Sequence, residues 1–468
     1  MNKLWKKTLT WILAAMFVFS GIQSAFASIN ISGPGYDNVP HEMLMDDVGI
    51  TMLNASNWTA FPGAGLILMN DRQIKELNEK CLDTSACCMN RLEAIGSAFN
   101  GVKMRTALAS FSDPENLFLN GAPVPSSYYQ SVRANIAGAP VQENMVLGYA
   151  ISLKRCMMKS LPSPEDLSDD VTDPEWDNLV LTSVQYNEPL VVYFTTADGK
   201  YAYVKSVLCD GWVPTDCIVL CHDKEEWKKA YDPEKYLIVT GDRIQTEMSY
   251  VRVHSELTLE MGVKLELCDD GTQTVDNRMN WCNYVVYAPG RGADGLYEKQ
   301  KMLIPAGSDV NVGCLPMTQK NIVSQAFKSL GTRYGWGGSM NAQDCSLFVR
   351  DVYSCFGLCL PRNTTWQGAM PVEKVDLSKM TDEQKKRALR DLPVGTILQF
   401  PGHEMLYLGE QNGKFYTIND VSSLAVDTET GLKKVRVRSV VVNSLEGTKR
   451  VNGKTWLNQL TNAIIVFR

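Results

Sequence analysis

Residues 331–357, GTRYGWGGSMNAQDCSLFVRDVYSCFG, decide how the chain is read. A glycine-rich turn carrying Tyr334 and Trp336 runs into Asp344-Cys345-Ser346, where an apolar helical pattern begins. Val349, Val352, Tyr353 and Phe356 follow at helical spacing, and Gly357 supplies a stop. Cys345 therefore falls in the first turn of a predicted helix. Free backbone N–H groups and the helix dipole favour a thiolate there, so a lowered thiol pKa is expected. That is a place for a nucleophile.

The rest of the chain sets the context. Its 468 residues are too many for one core, and about two to four domains are expected. With 45% hydrophobic and 21% charged residues it reads as ordinary globular protein. The net charge of −6 argues against nucleic-acid binding through bulk charge. Lys3, Lys6 and Lys7 precede an apolar run from Leu9 to Phe19, and Ala25-Phe26-Ala27 gives an A-x-A site before Ser28. This fits a secretory signal over residues 1–27, and the run is too short to span a bilayer comfortably. The mature chain is read as exported, to the periplasm or to the extracellular space and cell wall. Export makes disulfides plausible among the thirteen cysteines, with Cys81/Cys87/Cys88, Cys209/Cys217/Cys221 and Cys355/Cys359 as close sets. Cys217-x-x-x-Cys221-His222 has the wrong spacing for haem attachment and reads as structural. No metal or other cofactor is implied.

Residues 28–165 read as a mostly helical domain after a Gly/Pro-rich start at Ser32 to Pro40. Helix-like spacing covers Arg72 to Cys81, Asn90 to Leu108 and Glu143 to Lys159. A polar stretch from Ser163 to Glu175 marks a boundary, and its cluster Glu165, Asp166, Asp169 and Asp170 reads as a solvated linker. In residues 166–235, Pro189 to Phe194, Tyr201 to Val204, Gly211 to Pro214 and Cys217 to Leu220 read as short strands. Asp198-Gly199 is a hairpin signal between them, and Trp212 is assigned to the core of a small barrel. Residues 236–315 form a second β-rich block, with strands at Tyr250 to Val253, Val263 to Leu267 and Asn283 to Ala288. In residues 316–468 an amphipathic helix through Ile322 to Leu330 and the helix after Asp344 precede several strands. That order implies an α+β domain with helices on one side of an antiparallel sheet.

A thiol peptidase needs a histidine to share the cysteine's proton and a polar group to orient that histidine. Of the four histidines, only His403 lies in the last domain, at the start of the strand His403 to Gly409. A hairpin centred on Gln411 sets His403 opposite Asn419, and directly opposed residues share a face. A one-residue change of register offers Asp420 instead, and a turn centred on Asn412-Gly413 offers Ser422.

Leu330 to Gly338, Asp344-Cys345-Ser346 and Gly402-His403 running into Tyr407-Leu408-Gly409 resemble the NlpC-type cysteine peptidases, papain-like endopeptidases of bacterial cell-wall peptides. The resemblance covers residues 317–420. It implies Cys345 as nucleophile, His403 as general base and acid, and a Cys345 N–H at the oxyanion. It also implies Tyr334, Trp336, Asp344 and Ser346 as lining of the substrate groove. Asn419 stands where the family usually carries a second histidine. The two β-rich blocks resemble tandem bacterial SH3-like domains, the first by its Asp-Gly-x-Tyr…Gly-Trp-Val pattern. This arrangement resembles a branch that cuts between D-glutamate and a diamino acid in stem peptides. In some members the first SH3-like domain narrows the groove to a free N-terminal L-alanine, whose amine Asp344 would meet. The implied function is a secreted γ-D-glutamyl-diamino acid endopeptidase, with muropeptides as partners. The alternatives are a wall-binding scaffold with an inactive peptidase domain and an N-acetylmuramoyl-L-alanine amidase.

Overall fold

The sequence pattern that closes the chain is the one that organises the fold. Strands rich in Ile, Leu, Val and aromatics build a six-stranded antiparallel sheet, against which the helix that begins at Cys345 packs. The computed structural model describes residues 44–250 and 254–468. The expected leader at 1–27, the stretch Ser32 to Pro40 and most of the expected strand Tyr250 to Val253 lie outside the described residues.

Helix α1 (Asp71–Asp83) is capped reciprocally by Asn70 and Gln73 and buries Ile74, Leu77 and Cys81. Helices α2 (Gly101–Ala109) and α3 (Ser126–Ala137) follow. The expected single helical domain divides between two cores. Val48, Met52, Trp58, Ile74 and Leu77 pack with the C-terminal sheet, whereas Leu92, Tyr129, Val132 and Ile136 pack with the first β-block. Two contacts fix the first of these regions. Tyr416 Oη donates to the Asp47 carbonyl at 2.8 Å, and Leu68 N–H to that of Met317 at 2.8 Å.

The first β-block begins earlier than expected. Glu143 to Lys159, read as helical, holds strands β1 (Gly148–Ser152) and β2 (Cys156–Lys159). A long-range sheet overrides local spacing here, because Ala150, Ile151, Ser152 and Met158 are all buried. β3 (Val180–Val184), β4 (Pro189–Thr195), β5 (Tyr201–Lys205), β6 (Asp210–Pro214) and β7 (Ile218–Leu220) complete a sheet of order β7-β1-β4-β5-β6-β2-β3. Trp212 lies in its core, 1% exposed, against Phe194 and Tyr203.

After α4 (Lys224–Tyr231) come β8 (Tyr236–Val239), β9 (Arg243–Gln245), β10 (Thr258–Glu260), β11 (Lys264–Leu267), β12 (Asn283–Arg291), β13 (Tyr297–Pro305) and β14 (Val310–Val312). Five of them form a sheet of order β13-β12-β11-β8-β14, and β9 pairs with β10.

In the last region α5 (Gln319–Lys328) and α6 (Cys345–Ser354) precede α7 (Thr364–Gly368), β15 (Glu373–Asp376) and α8 (Asp382–Arg390). Then come β16 (Ile397–Phe400), β17 (His403–Gln411), β18 (Lys414–Thr428), β19 (Gly431–Ser444), α9 (Trp456–Gln459) and β20 (Asn462–Ile465). The antiparallel sheet has the order β15-β20-β16-β17-β18-β19. The long β18–β19 hairpin is an addition to the expected strands. Among the described residues, no helix is long and apolar enough to cross a membrane.

Candidate active site

Asp344 caps α6 by accepting from Leu347 N–H at 2.9 Å, which makes Cys345 the first residue of the helix. The Cys345 thiol is 8% exposed and lies 3.9 Å from Thr364 Oγ1. The Glu404 backbone also hydrogen-bonds it, which puts the thiol at the first residues of β17, where His403 stands. The expected lowering of the thiol pKa is reversed. Burial pushes it well up, the carboxyls of Asp344 and Glu404 add to that, and bonds from the Glu404 backbone and Thr364 oppose it only in part. Desolvation is the largest cause.

His403 Nε2 lies 2.8 Å from Asn419 Oδ1. The β17–β18 turn is not the one that pointed to this residue. Gln411 pairs with Lys414 across Asn412-Gly413, both in left-handed conformations, and Leu408 bulges so that Tyr407 faces Thr417 and Leu406 faces Ile418. Continued, that register sets Met405 opposite Asn419. His403 meets Asn419 as a diagonal neighbour on the same face. The amide orientation of Asn419 follows from its other bond, since Nδ2 donates to Asn443 Oδ1 at 2.7 Å. Asn443 in turn donates to Thr448 Oγ1 at 2.9 Å. His403 sits against Phe400 and Trp456, with ring centroids 5.3 and 5.0 Å away. Burial depresses its pKa to about 4 despite the bond to Asn419. Burial thus disfavours the charged form of both groups.

Asp420 points away from this network. It is buried with neither carboxylate oxygen bonded among the described residues, and burial, then Asp344 and Asp242, raise its pKa. Ser422 lies further along β18, and the ring of His403 bonds Asn419 in its place.

The expected groove residues separate into two groups. Tyr334 and Trp336 form an aromatic wall with Trp176, which stacks on Trp336 at 4.2 Å and on Tyr334 at 6.2 Å. Asp344 and Ser346 bond each other and Arg362, and at 4% and 3% exposed they are as buried as Tyr334 of the wall, at 4%. Arg362 donates to Asp344 Oδ2 at 2.7 Å, and Gly337 N–H and Ser346 Oγ also bond its carboxylate. Burial alone would disfavour that charge, but Arg362 outweighs it and holds the carboxyl below its usual value. The cluster Glu165, Asp166, Asp169 and Asp170 is exposed, as expected of a solvated linker, and the end of the stretch beyond it is a strap. Asp173 pairs with Arg438 and Glu175 with Arg333 (2.6 Å), which brings Trp176 over the wall.

Residues 331–441 match the NlpC/P60 family and residues 165–214 the SH3 domain of SH3b1 type. This chain carries an NlpC/P60 domain. A solved NlpC/P60 endopeptidase from Photobacterium damselae subsp. piscicida is similar in fold, at 16% identity and a TM-score of 0.70, over 89% of this chain and 97% of its own. An NlpC/P60 family protein from Bacillus cereus is similar at 16% identity and a TM-score of 0.47, over 68% of this chain and 100% of its own. No curated protein matches the sequence. Around the NlpC/P60 domain's thiol, sequence reasoning missed Thr364, Arg362, Trp456 and Trp176. Arg362 and Thr364 stand in Leu360-Pro361-Arg362-Asn363-Thr364, a proline-led turn into α7, but nothing in the spacing says that it folds back on Asp344. All thirteen cysteines are free thiols, so the expected close sets are unbridged.

Proposed function

We propose that the protein is an exported thiol endopeptidase that hydrolyses peptidoglycan stem peptides at the bond between D-glutamate and the diamino acid. The single observation that carries this reading is the bond between His403 and Asn419 beside a helix-starting cysteine in an NlpC/P60 domain. With Nε2–H donated to Asn419, His403 keeps Nδ1 as the proton acceptor. Cys345 gives its proton to His403 as Sγ attacks the scissile carbonyl, and the Cys345 N–H at the start of α6 receives the oxyanion. His403 returns the proton to the leaving amine, and water then hydrolyses the thioester with His403 again as base.

Burial of both groups keeps the resting pair neutral, so the substrate's arrival and developing charge drive the transfer. Asp344, already paired with Arg362, holds the helix start and is not the partner of the substrate amine in this reading. Trp176 closes one end of the aromatic wall and so favours short stem peptides with a free N-terminal L-alanine. The SH3b1-type domain and the second β-block, read as SH3-like too, work with the NlpC/P60 domain on wall peptides. The test is release of dipeptides ending in D-glutamate from free stem peptides. Wild type releases them and Cys345→Ala does not; equal release would overturn the reading.

A further inference from the structure

The turn from Trp336 to Asn341 is held from outside its own domain. Gly337, Gly338, Met340 and Asn341 all have positive φ, at 64°, 96°, 59° and 51°, which costs energy at the last two. The turn is pressed onto β3 of the first block. A Cβ at Gly337 would collide with Val180 Cγ1, and one at Gly338 would lie 2.6 Å from Ser183 Oγ, so both positions need glycine.

Arg155, between β1 and β2, reaches this turn with one guanidinium. Its Nη2 donates to the Gly338 carbonyl and, at 3.0 Å, to that of Ala342. Its Nε donates to Glu260 at the end of β10 in the second block, and the two side chains are 6% and 5% exposed. From β9, Arg243 donates to the Asn341 carbonyl. Three regions of the chain thus meet at one buried cation. A planar guanidinium holds two carbonyls and a carboxylate in one fixed fork, whereas a lysine offers a compact, freely rotating point charge.

We propose that Arg155 is a positioning residue of the peptide groove: paired with Glu260, it fixes the turn that carries Trp336, so both β-blocks are working parts of the groove. Cys345 has its own anchor, because Arg362 holds Asp344 and is itself held by a bond to Thr182 Oγ1 at 2.7 Å. Asp344 also accepts from Gly337 N–H of the turn, but Arg362 and Leu347 N–H still hold it, so loss of Arg155 loosens the Trp336 wall more than the nucleophile. The consequence appears in substrate affinity more than in turnover. The proposal rests on the stem-peptide endopeptidase reading of the site.

The experiment compares Arg155→Met, Glu260→Gln and the double variant Arg155→Met/Glu260→Met in the full chain. Three quantities are read: KM and kcat on a free stem tripeptide, iodoacetamide labelling of the Cys345 peptide by mass spectrometry, and acrylamide quenching of tryptophan fluorescence. Arg155→Met strands Glu260 as an unpaired buried charge, and the double variant removes that cost. In every folded variant lacking Arg155, KM rises about tenfold or more with kcat little changed. Cys345 labelling stays near the wild-type rate, and quenching increases. Glu260→Gln keeps an oxygen that accepts from Arg155 Nε but loses the charge, so its KM rises less than in the variants lacking Arg155. Wild-type KM in the double variant, or KM, kcat and labelling all falling with the folded fraction, would overturn the proposal. If wild type turns over no stem peptide, the endopeptidase reading fails instead, and labelling with quenching still decides on Arg155. Unchanged quenching without Arg155 would then overturn it.

Discussion

His403 Nε2 and Asn419 Oδ1 lie 2.8 Å apart, and the second bond of Asn419, from Nδ2 to Asn443 Oδ1, fixes which amide atom faces the ring. The amide therefore accepts from His403, and the ring's other nitrogen is left to take a proton. Asn419→Ala is expected to lower kcat by about 10²-fold, since the ring loses its orientation, with KM little affected. Asn419→Asp keeps the acceptor and adds a charge, so it should retain more activity and move the acid limb of the pH profile upward. Steady-state kinetics with thermal melts checks both. Full activity in Asn419→Ala would remove Asn419 from the site.

The neutral resting pair has its own pH signature. His403 is held down to about 4, against an ordinary value near 6.5, so kcat/KM should persist through pH 5 and fall as pH drops through about 4. The depressed pKa also contributes stability that is present above about 6.5 and lost as pH falls through 4. Because the Cys345 thiol is raised, its alkylation in the free enzyme should climb on the alkaline side. An alkylation plateau from pH 5 to 8 would instead reveal a thiolate–imidazolium pair.

Glu404 is buried beside the site, accepts from Gln399 Nε2 at 2.6 Å, and is pushed up to about 8, chiefly by burial. A carboxyl raised in the folded state favours folding while it is protonated. That contribution is full below its unfolded value near 4.5 and is lost as pH rises through about 8. Glu404→Gln should therefore raise the melting temperature by several degrees at pH 9 and scarcely change it at pH 4. The opposite pH trend would mean that Glu404 is ionised in the fold.

How much of this could be read from sequence follows from how local each signal is. The turn at Tyr334 to Gly338, the helix start at Cys345 and the strand at His403 depend on neighbours in the chain, and they stand where the pattern puts them. Hairpin arithmetic reaches Asn419 from a turn centred on Gln411, whereas the real turn is Asn412-Gly413. The Leu408 bulge and the diagonal reach of His403 bring the two together by another route. Glu143 to Lys159 has helical spacing, yet its backbone pairs with β4, β6, β7 and β3, and long-range pairing leaves no trace in a local period. Arg155, Arg362, Trp176 and Trp456 come from turns, straps and a short helix. Only the assembled fold gives them a direction.

Trp176 offers a test of selectivity. It stacks on Trp336 and is carried on a strap tied by Asp173–Arg438 and Glu175–Arg333. Trp176→Ala should open the groove end, so that stem peptides acylated at the N-terminus become substrates while KM for free tripeptide rises about tenfold. The strap's pairs are partly exposed, so raised salt should shift wild type in the same direction. Unchanged discrimination in Trp176→Ala would place the restriction elsewhere.

The scissile bond and the role of Cys345 are decided together by digesting defined muropeptides, with and without the sugar-linked N-terminus, and identifying the products by mass spectrometry. Wild-type protein should release a dipeptide ending in D-glutamate from the free stem peptide, and Cys345→Ala should release nothing. Cleavage between muramic acid and L-alanine, or equal products from Cys345→Ala, would refute the thiol endopeptidase proposed for this chain.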